Sequence, residues 1–380
     1  MTYKYRGTQP AGLPSTTPAT RWSLAGGQYG LFYYQSSDNV TAASLNSLTD
    51  WLGGYEPYTG DTTKTIRALG YGKDASGNPI YIASQTTTTA NEIAVSSTDV
   101  TSTNTWTMVN LTGSSNSKVQ IFDVVWGADS GGAAGGTWMA VGDQSSGQHV
   151  YRSRDGGASW SSIAVPSGDS GEDVHTIASN GSGTWAFVHD DGFYLSTDDG
   201  ASFTKSTPFT MVRGVGIGYN KSNNTWIAIY VNNSEMRIRT CSGTDFTTWS
   251  SETLITGTAG ELGDVGQNQH YVRAYNGRVM IVPRRSASQQ SIIAICDVNG
   301  TSISNLDTIQ IITGNSEYIH VGYTDGSTWL LGGRTGDVFR STDNAETWTQ
   351  ISHSINVAGI NSLFGHSNMG GIVGDVYLPL

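Results

Sequence analysis

The chain has 380 residues, 31 acidic against 20 basic side chains, a formal net charge of −11 and only 13% charged residues. That balance argues against a nucleic-acid groove, which needs a cationic surface, and no run approaches the ~18 apolar residues of a membrane-spanning helix. Forty-eight glycines amid abundant Ser, Thr and Asn favour strands and tight turns over helices, and two cysteines, Cys241 and Cys296, exclude a disulfide framework.

The paucity of cysteine points to a reducing compartment, and the first residues, MTYKYRGTQP, carry no apolar core of a signal peptide. Residues 1–29 read as an extended arm. Pro10, Pro14 and Pro18 recur at four-residue spacing, and Tyr3, Lys4, Tyr5 and Arg6 sit near its start. Residues 30–380 read as one domain. It begins with GLFYYQSSDNVTAASLNSLTDWL at 30–52, which looks like the outer half of a sheet unit.

A repeat organises the rest of the chain. YRSRDGGASW at 151–160, YLSTDDGASF at 194–203 and FRSTDNAETW at 339–348 share one pattern: aromatic, Ser, Asp, a small residue and a closing aromatic. Its members are Ser153, Asp155, Gly157 and Trp160; Ser196, Asp198, Gly200 and Phe203; and Ser341, Asp343 and Trp348, with Ala345 in the glycine position. Looser copies lie at Ser37, Asp38 and Trp51, at Ser97, Asp99 and Trp106, and at Thr244, Asp245 and Trp249. A second repeat runs about twenty residues ahead: GTWMAVG, GTWAFVH, NTWIAIY and STWLLGG, with GRVMIVP at 277–283 as a copy lacking its tryptophan.

Each unit therefore reads as four short strands in roughly 40–50 residues, the period of a propeller blade. Six complete units fall near 66–110, 119–165, 173–208, 212–254, 263–311 and 316–351. The segments at about 30–60 and 353–380 would together build one more, so that the closing blade is shared by both ends of the chain and no sheet edge stays open there. The expected fold class is all-β, a seven-bladed β-propeller of four-stranded antiparallel blades, with six or eight blades as the alternatives.

The decapeptides resemble the Asp box, or BNR repeat. That resemblance places each box in the hairpin between the third and fourth strands of a blade. A carboxylate in a tight turn accepts several backbone N–H bonds, and glycine supplies positive φ. The box residues are thus expected to be structural. Asp155, Asp198 and Asp343 fall on three blades, tens of ångströms apart on a rough count of sheet spacings, so they form no acid–base pair.

The same resemblance extends to sialidases, endoglucanases, the sortilin ectodomain and a photosystem II assembly factor. For a sialidase-like site it implies an arginine triad, for which Arg67, Arg213 and Arg273 are the candidates at a channel mouth. Tyr271 and Glu261 would then be the nearest nucleophile pair, and Asp264 an acid with which these arginines could instead pair. The Phe/Tyr-Arg-Ile-Pro segment of sialidases is missing near residue 1. His175, His270 and His320 could line the channel but show no metal-ligand spacing. The cysteines read as buried small side chains, and the glycine-rich run at 127–138 as a hairpin connection without phosphate-loop chemistry. The Asn110 and Asn232 sequons carry weight only in a secreted chain.

Three readings of function compete. The first is a non-enzymatic structural propeller without cofactor or metal. It would be a tailed-bacteriophage virion protein of tail or capsid surface, assembled in the host cytoplasm. Its partners would be other virion proteins, met through the arm, and a host-surface glycan, with no nucleic acid and no membrane insertion. The second is a glycan-binding or sialidase-like propeller in which Trp22, Trp126 and Tyr55 stack on sugars. The third is a cellular assembly factor.

Overall fold

The structure is a computed structural model that describes residues 19–26, 30–35, 52–55, 65–86, 92–96, 106–112, 119–144, 150–166, 174–189, 192–233, 235–243, 246–255, 270–283, 291–312, 319–324, 329–333, 338–351 and 360–368. These residues are strands and turns, with a single 3₁₀ turn at Lys221–Asn223. No helix among them is long and apolar enough to cross a membrane.

In chain order the first strands are β1 (Ala19–Gly26), β2 (Gly30–Gln35) and β3 (Leu52–Tyr55). Four-stranded antiparallel meanders come next. The first holds β4 (Thr65–Lys73), β5 (Pro79–Thr86), β6 (Glu92–Ser96) and β7 (Trp106–Thr112), and the second β8 (Val119–Gly127), β9 (Thr137–Gln144), β10 (Val150–Ser153) and β11 (Trp160–Ile163). The third holds β12 (Thr176–Ser179), β13 (Trp185–His189), β14 (Gly192–Ser196) and β15 (Thr204–Ser206). The fourth holds β16 (Arg213–Asn220), β17 (Thr225–Asn232), β18 (Glu235–Ser242) and β19 (Thr253–Leu254). The fifth comprises β20 (His270–Tyr275), β21 (Arg278–Pro283), β22 (Ser291–Asn299) and β23 (Ser302–Ile312), and the sixth β24 (Ile319–Thr324), β25 (Trp329–Gly333), β26 (Val338–Ser341) and β27 (Thr349–Ile351). These six meanders coincide with the six units read from the repeats.

The last strand, β28 (Ile360–Asn368), pairs with β1, and the sheet runs β28-β1-β2-β3. Both ends of the chain thus contribute to one sheet. β1 lies inside the segment expected as an arm. Its residues Trp22 and Leu24 alternate with Arg21 and Ser23, a strand period that the preceding prolines masked. Residues 1–18 lie outside the described residues, as do the loose box copies at Ser37, Asp38 and Trp51, at Ser97 and Asp99, and at Thr244 and Asp245.

The core lies between meanders. One apolar cluster joins Val141 and Val150 of the second to Phe187 and Tyr194 of the third. Another joins Ala186 and Phe193 to Trp226 and Ala228, and a third joins Ile227 and Ile229 to Val279 and Ile281. Side chains alternate across a strand, so each sheet buries both faces against its neighbours. The repeated tryptophans Trp138, Trp185, Trp226 and Trp329 sit on the second strands and are fully buried. The first two meanders are also joined edge to edge, by a parallel pairing of β11 with β7 through Trp160↔Leu111 and Ser161↔Thr112.

Candidate functional site

The three full decapeptides fold into one turn between third and fourth strands. Ser153 Oγ donates to Asp155 Oδ1 at 2.7 Å and accepts Gly157 N–H at 2.8 Å. Asp155 also accepts the Ser159 N–H at 2.9 Å and the Ser159 hydroxyl. The scheme recurs at Ser196, Asp198, Gly200 and Ser202, and again at Ser341, Asp343, Ala345 and Thr347. A hydroxyl residue four positions after the aspartate is therefore part of the motif, and the sequence pattern overlooked it. Burial alone would raise these carboxyls. The donated bonds outweigh it and hold Asp155, Asp198 and Asp343 below the usual carboxylate range. Their acceptor capacity is used inside the turn.

These turns also tie meander to meander. The β8–β9 connection docks on the third meander's turn, with Ser130 N–H and Oγ donating to Asp199 at 2.7 and 2.8 Å. Asp129 in that connection holds Arg154 of its own meander's turn at 2.8 Å. Asn223 Nδ2 of the fourth meander donates to Val298 O of the fifth at 2.7 Å. Arg278 of the fifth pairs with Asp297 at 3.1 Å, reaches Glu346 of the sixth at 2.5 Å and donates to Asn344 O. Close backbone approach completes the first junction: a Cβ on Gly156 would stand 2.4 Å from Ala75 N.

The innermost strands carry the remaining candidates. Asp123 on β8 is buried and accepts the Ile177 N–H of the neighbouring β12 at 3.3 Å. Burial pushes its carboxyl up to about 6, while the Arg273 charge and the backbone N–H groups of Ile177 and Val124 pull the other way. Arg273, on β20, donates to Gly322 O of β24 at 3.0 Å and to Val272 O at 3.1 Å. Arg213 opens β16 opposite Val231, five register positions from the Tyr219–Trp226 pair. Arg273 lies opposite Met280, one position from the equivalent Ala274–Val279 pair. The two thus differ by roughly 13 Å along the strand direction at ~3.3 Å per residue.

Trp22, Tyr55, Arg67, His270, Tyr271 and His320 fall in β1, β3, β4, β20 and β24 with side chains outside the described set, and Glu261 and Asp264 lie outside the described residues. His175 is buried, its ring stacked on Phe122 at 5.2 Å. Trp126 does not offer a sugar-stacking face: it is 4% exposed, its Nε1 donates to Gly135 O at 2.8 Å, and Lys73 Nζ covers its ring. Among the described residues no group of three or more His, Cys, Asp or Glu side chains is placed to hold a metal ion.

A charged cluster on the fourth meander escaped the sequence reading. Tyr230 donates to Glu252 at 2.7 Å and accepts from Arg239 Nε at 2.9 Å. Arg237 is held between Glu252, at 2.6 Å, and Glu235, and the Arg239 guanidinium lies over Phe209 at 4.7 Å. Burial, then the bond to Glu252, pushes Tyr230 up to about 12, and that bond with the two arginines lowers Glu252. Here β19 supplies only two residues of ladder. The Cys241–Trp249 bridge and the Ser250 N–H to Thr240 O and Ile255 N–H to Met236 O bonds continue it, and the side-chain network adds to the joining of the outer edge. The signal was the alternation Glu235, Arg237, Arg239 along β18, on one face of one strand.

No protein-family model matches the chain, and no curated protein matches it. Solved structures do. An ancestral GH74 enzyme aligns at 12% identity over 90% of this chain with a TM-score of 0.53, and this chain spans 47% of that one. YCF48 from Cyanidioschyzon merolae aligns at 11% identity over 82% of this chain and 97% of its own, TM-score 0.49. YCF48 bound to a D1 peptide aligns at 17% identity over 75% and 80%, TM-score 0.46. At such identities the likeness to the GH74 structure concerns fold alone. With the sheet order above, the chain is an all-β protein of β-propeller fold.

Proposed function

We propose that this chain is a non-enzymatic Asp-box propeller of seven blades, one for each four-stranded meander and one for the sheet shared by the chain ends. It serves as a structural component of a bacteriophage particle, on tail or capsid surface, and docks to other particle proteins through residues 1–18. The observation that carries this reading is the use made of the repeated polar residues. Box carboxylates close their own turns, and Ser130, Asn223 and Arg278 bind neighbouring meanders. Such residues build a stiff ring, the property a particle component needs. The low charged fraction and the wealth of Gly, Ser, Thr and Asn agree with turn-rich virion modules.

Peptide mass spectrometry on purified particles tests it. Stoichiometric presence, with a copy number matching a tail ring or a capsid lattice, is the expected result; absence from particles overturns the reading.

A glycan-binding alternative draws on Arg213 and Arg273, which stand on the innermost strands of adjacent meanders but, offset by roughly 13 Å along them, would each meet a ligand separately and not as one carboxylate clamp. Saturable sialoside binding that Arg213→Ala abolishes would replace the first reading with this one.

A further inference from the structure

The outer strands differ sharply in length. β19 has two residues, β15 and β27 three, and β23 eleven. β23 is the last strand of its sheet, and no described strand pairs with its outer side. Ile303, Leu306, Ile309 and Ile311 along it are only partly buried against the clusters shared with the adjacent meanders. Ser302, Ser304, Asn305, Asp307 and Thr308 are exposed. Elsewhere in this molecule an outer edge is already covered by a strand, where β11 lies parallel to β7. A long edge with half-covered isoleucines is a template for strand addition.

We propose that β23 receives residues 2–8 of a second copy of this chain as an added strand. The inference rests on the arm-docking reading above, with a second copy of this chain as the particle protein that the arm meets. Thr2, Lys4, Arg6 and Thr8 alternate with Tyr3, Tyr5 and Gly7, a strand period with cations on one face and aromatics on the other. Residues 1–18 carry +2 and no acid, which leaves −13 on the rest of the chain. Asp307 is exposed on the edge. It shares a face with Ile309 and Ile311, while Ile303 and Leu306 lie on the other. Lys4 and Arg6 therefore meet Asp307 on one face, and Tyr3 and Tyr5 cover Ile303 and Leu306 on the other. The intervening residues 9–18 carry prolines at 10, 14 and 18, and a Pro-rich linker of ten residues reaches about 31 Å at ~3.1 Å per residue.

The test mixes ¹⁴N and ¹⁵N full-length chains and joins amines to carboxylates with a zero-length carbodiimide reagent. The expected product is a mixed-isotope Lys4–Asp307 cross-link. Sedimentation velocity should show self-association that weakens at least tenfold in Lys4→Glu/Arg6→Glu and returns when Asp307→Lys is added. A cross-link confined to one isotope, or association indifferent to the charge reversal, overturns the proposal. If the chain is present in particles while Lys4 cross-links elsewhere, the particle reading stands and this docking mode falls.

Discussion

Trp249 Nε1 donates to the Phe246 carbonyl at 2.8 Å, the bond that Trp160 makes to Gly157 and Trp348 to Ala345 at 3.1 Å. The fourth meander, whose box is the looser copy ending in Trp249, therefore keeps the end of the box geometry. The accepting residue has positive φ each time: 84° at Gly157, 67° at Ala345 and 52° at Phe246. What differs is the room the preceding meander leaves.

A Cβ built on Gly157 would meet Ile82 Cδ1 at 2.7 Å, whereas Ala345 and Phe246 are wholly buried with their side chains accommodated. Gly157→Ala is expected to cost about 1–3 kcal/mol, from left-handed backbone plus overpacking. Ala345→Gly should stay within about 1 kcal/mol of wild type, because relief of backbone strain offsets a lost methyl. Phe246→Ala should cost about 3 kcal/mol or more through its contacts with Trp226 and Trp249. Chemical denaturation of the three variants reads the order; equal losses at positions 157 and 345 would contradict it.

The box carboxylates answer to acid. Asp155 accepts from Ser153 Oγ, Ser159 N–H and Ser159 Oγ, and these bonds keep it ionised below its ordinary range. A depressed carboxyl contributes stability that is present above its unfolded-state value and lost as pH falls through the folded one. Asp155→Ala is expected to destabilise by about 1–2 kcal/mol at neutral pH. Below pH ~4 the gap to wild type should close. Thermal midpoints across that range check both statements.

Much of this architecture was legible because the box and tryptophan repeats fix two strands per unit, and turn chemistry fixes the join. Six meanders and the sheet shared by the chain ends result from that spacing. β1 was hidden because Pro10, Pro14 and Pro18 dominate the composition of its neighbourhood, while its alternation spans only a few residues. The ties between meanders were not legible at all. Ser130 and Asp199 are 69 residues apart, and Arg278 and Glu346 are 68 apart; no local period links such positions. Asp123 was likewise unreadable, since its character comes from burial in the ring and from a charge three meanders away.

The cysteines mark a register rule. Cys241 faces Trp226 and Cys296 faces Val279, in the place where Ser153 faces Trp138 and Ser341 faces Trp329. Both thiols are buried, and burial followed by the Asp297 charge pushes Cys296 up to about 12. Neither should react with an aromatic disulfide reagent at pH 8 in the folded protein, and both should react once it is denatured. Rapid labelling of one thiol in the native protein would reveal local opening of β18 or β22.

Asp123 gives the opposite pH signature to the boxes. Its carboxyl is raised from 3.8 to about 6, with burial the dominant cause and Arg273 opposing it. A raised carboxyl contributes stability that is fully present below the unfolded value and lost as pH rises through the folded one, so the charge destabilises the ring above pH 6. A shift of that size corresponds to about 3 kcal/mol at most. Asp123→Asn retains an oxygen to accept the Ile177 N–H and carries no charge. The variant should match wild type at pH 4, draw ahead between pH 4 and 6, and be more stable by about 2 kcal/mol at pH 8. Denaturation midpoints for the pair at each pH decide the matter, because the box carboxylates are common to both proteins and cancel. A variant less stable than wild type at pH 8 would mean that attraction to Arg273 outweighs the cost of burial, and that the charge at Asp123 holds the inner strands together.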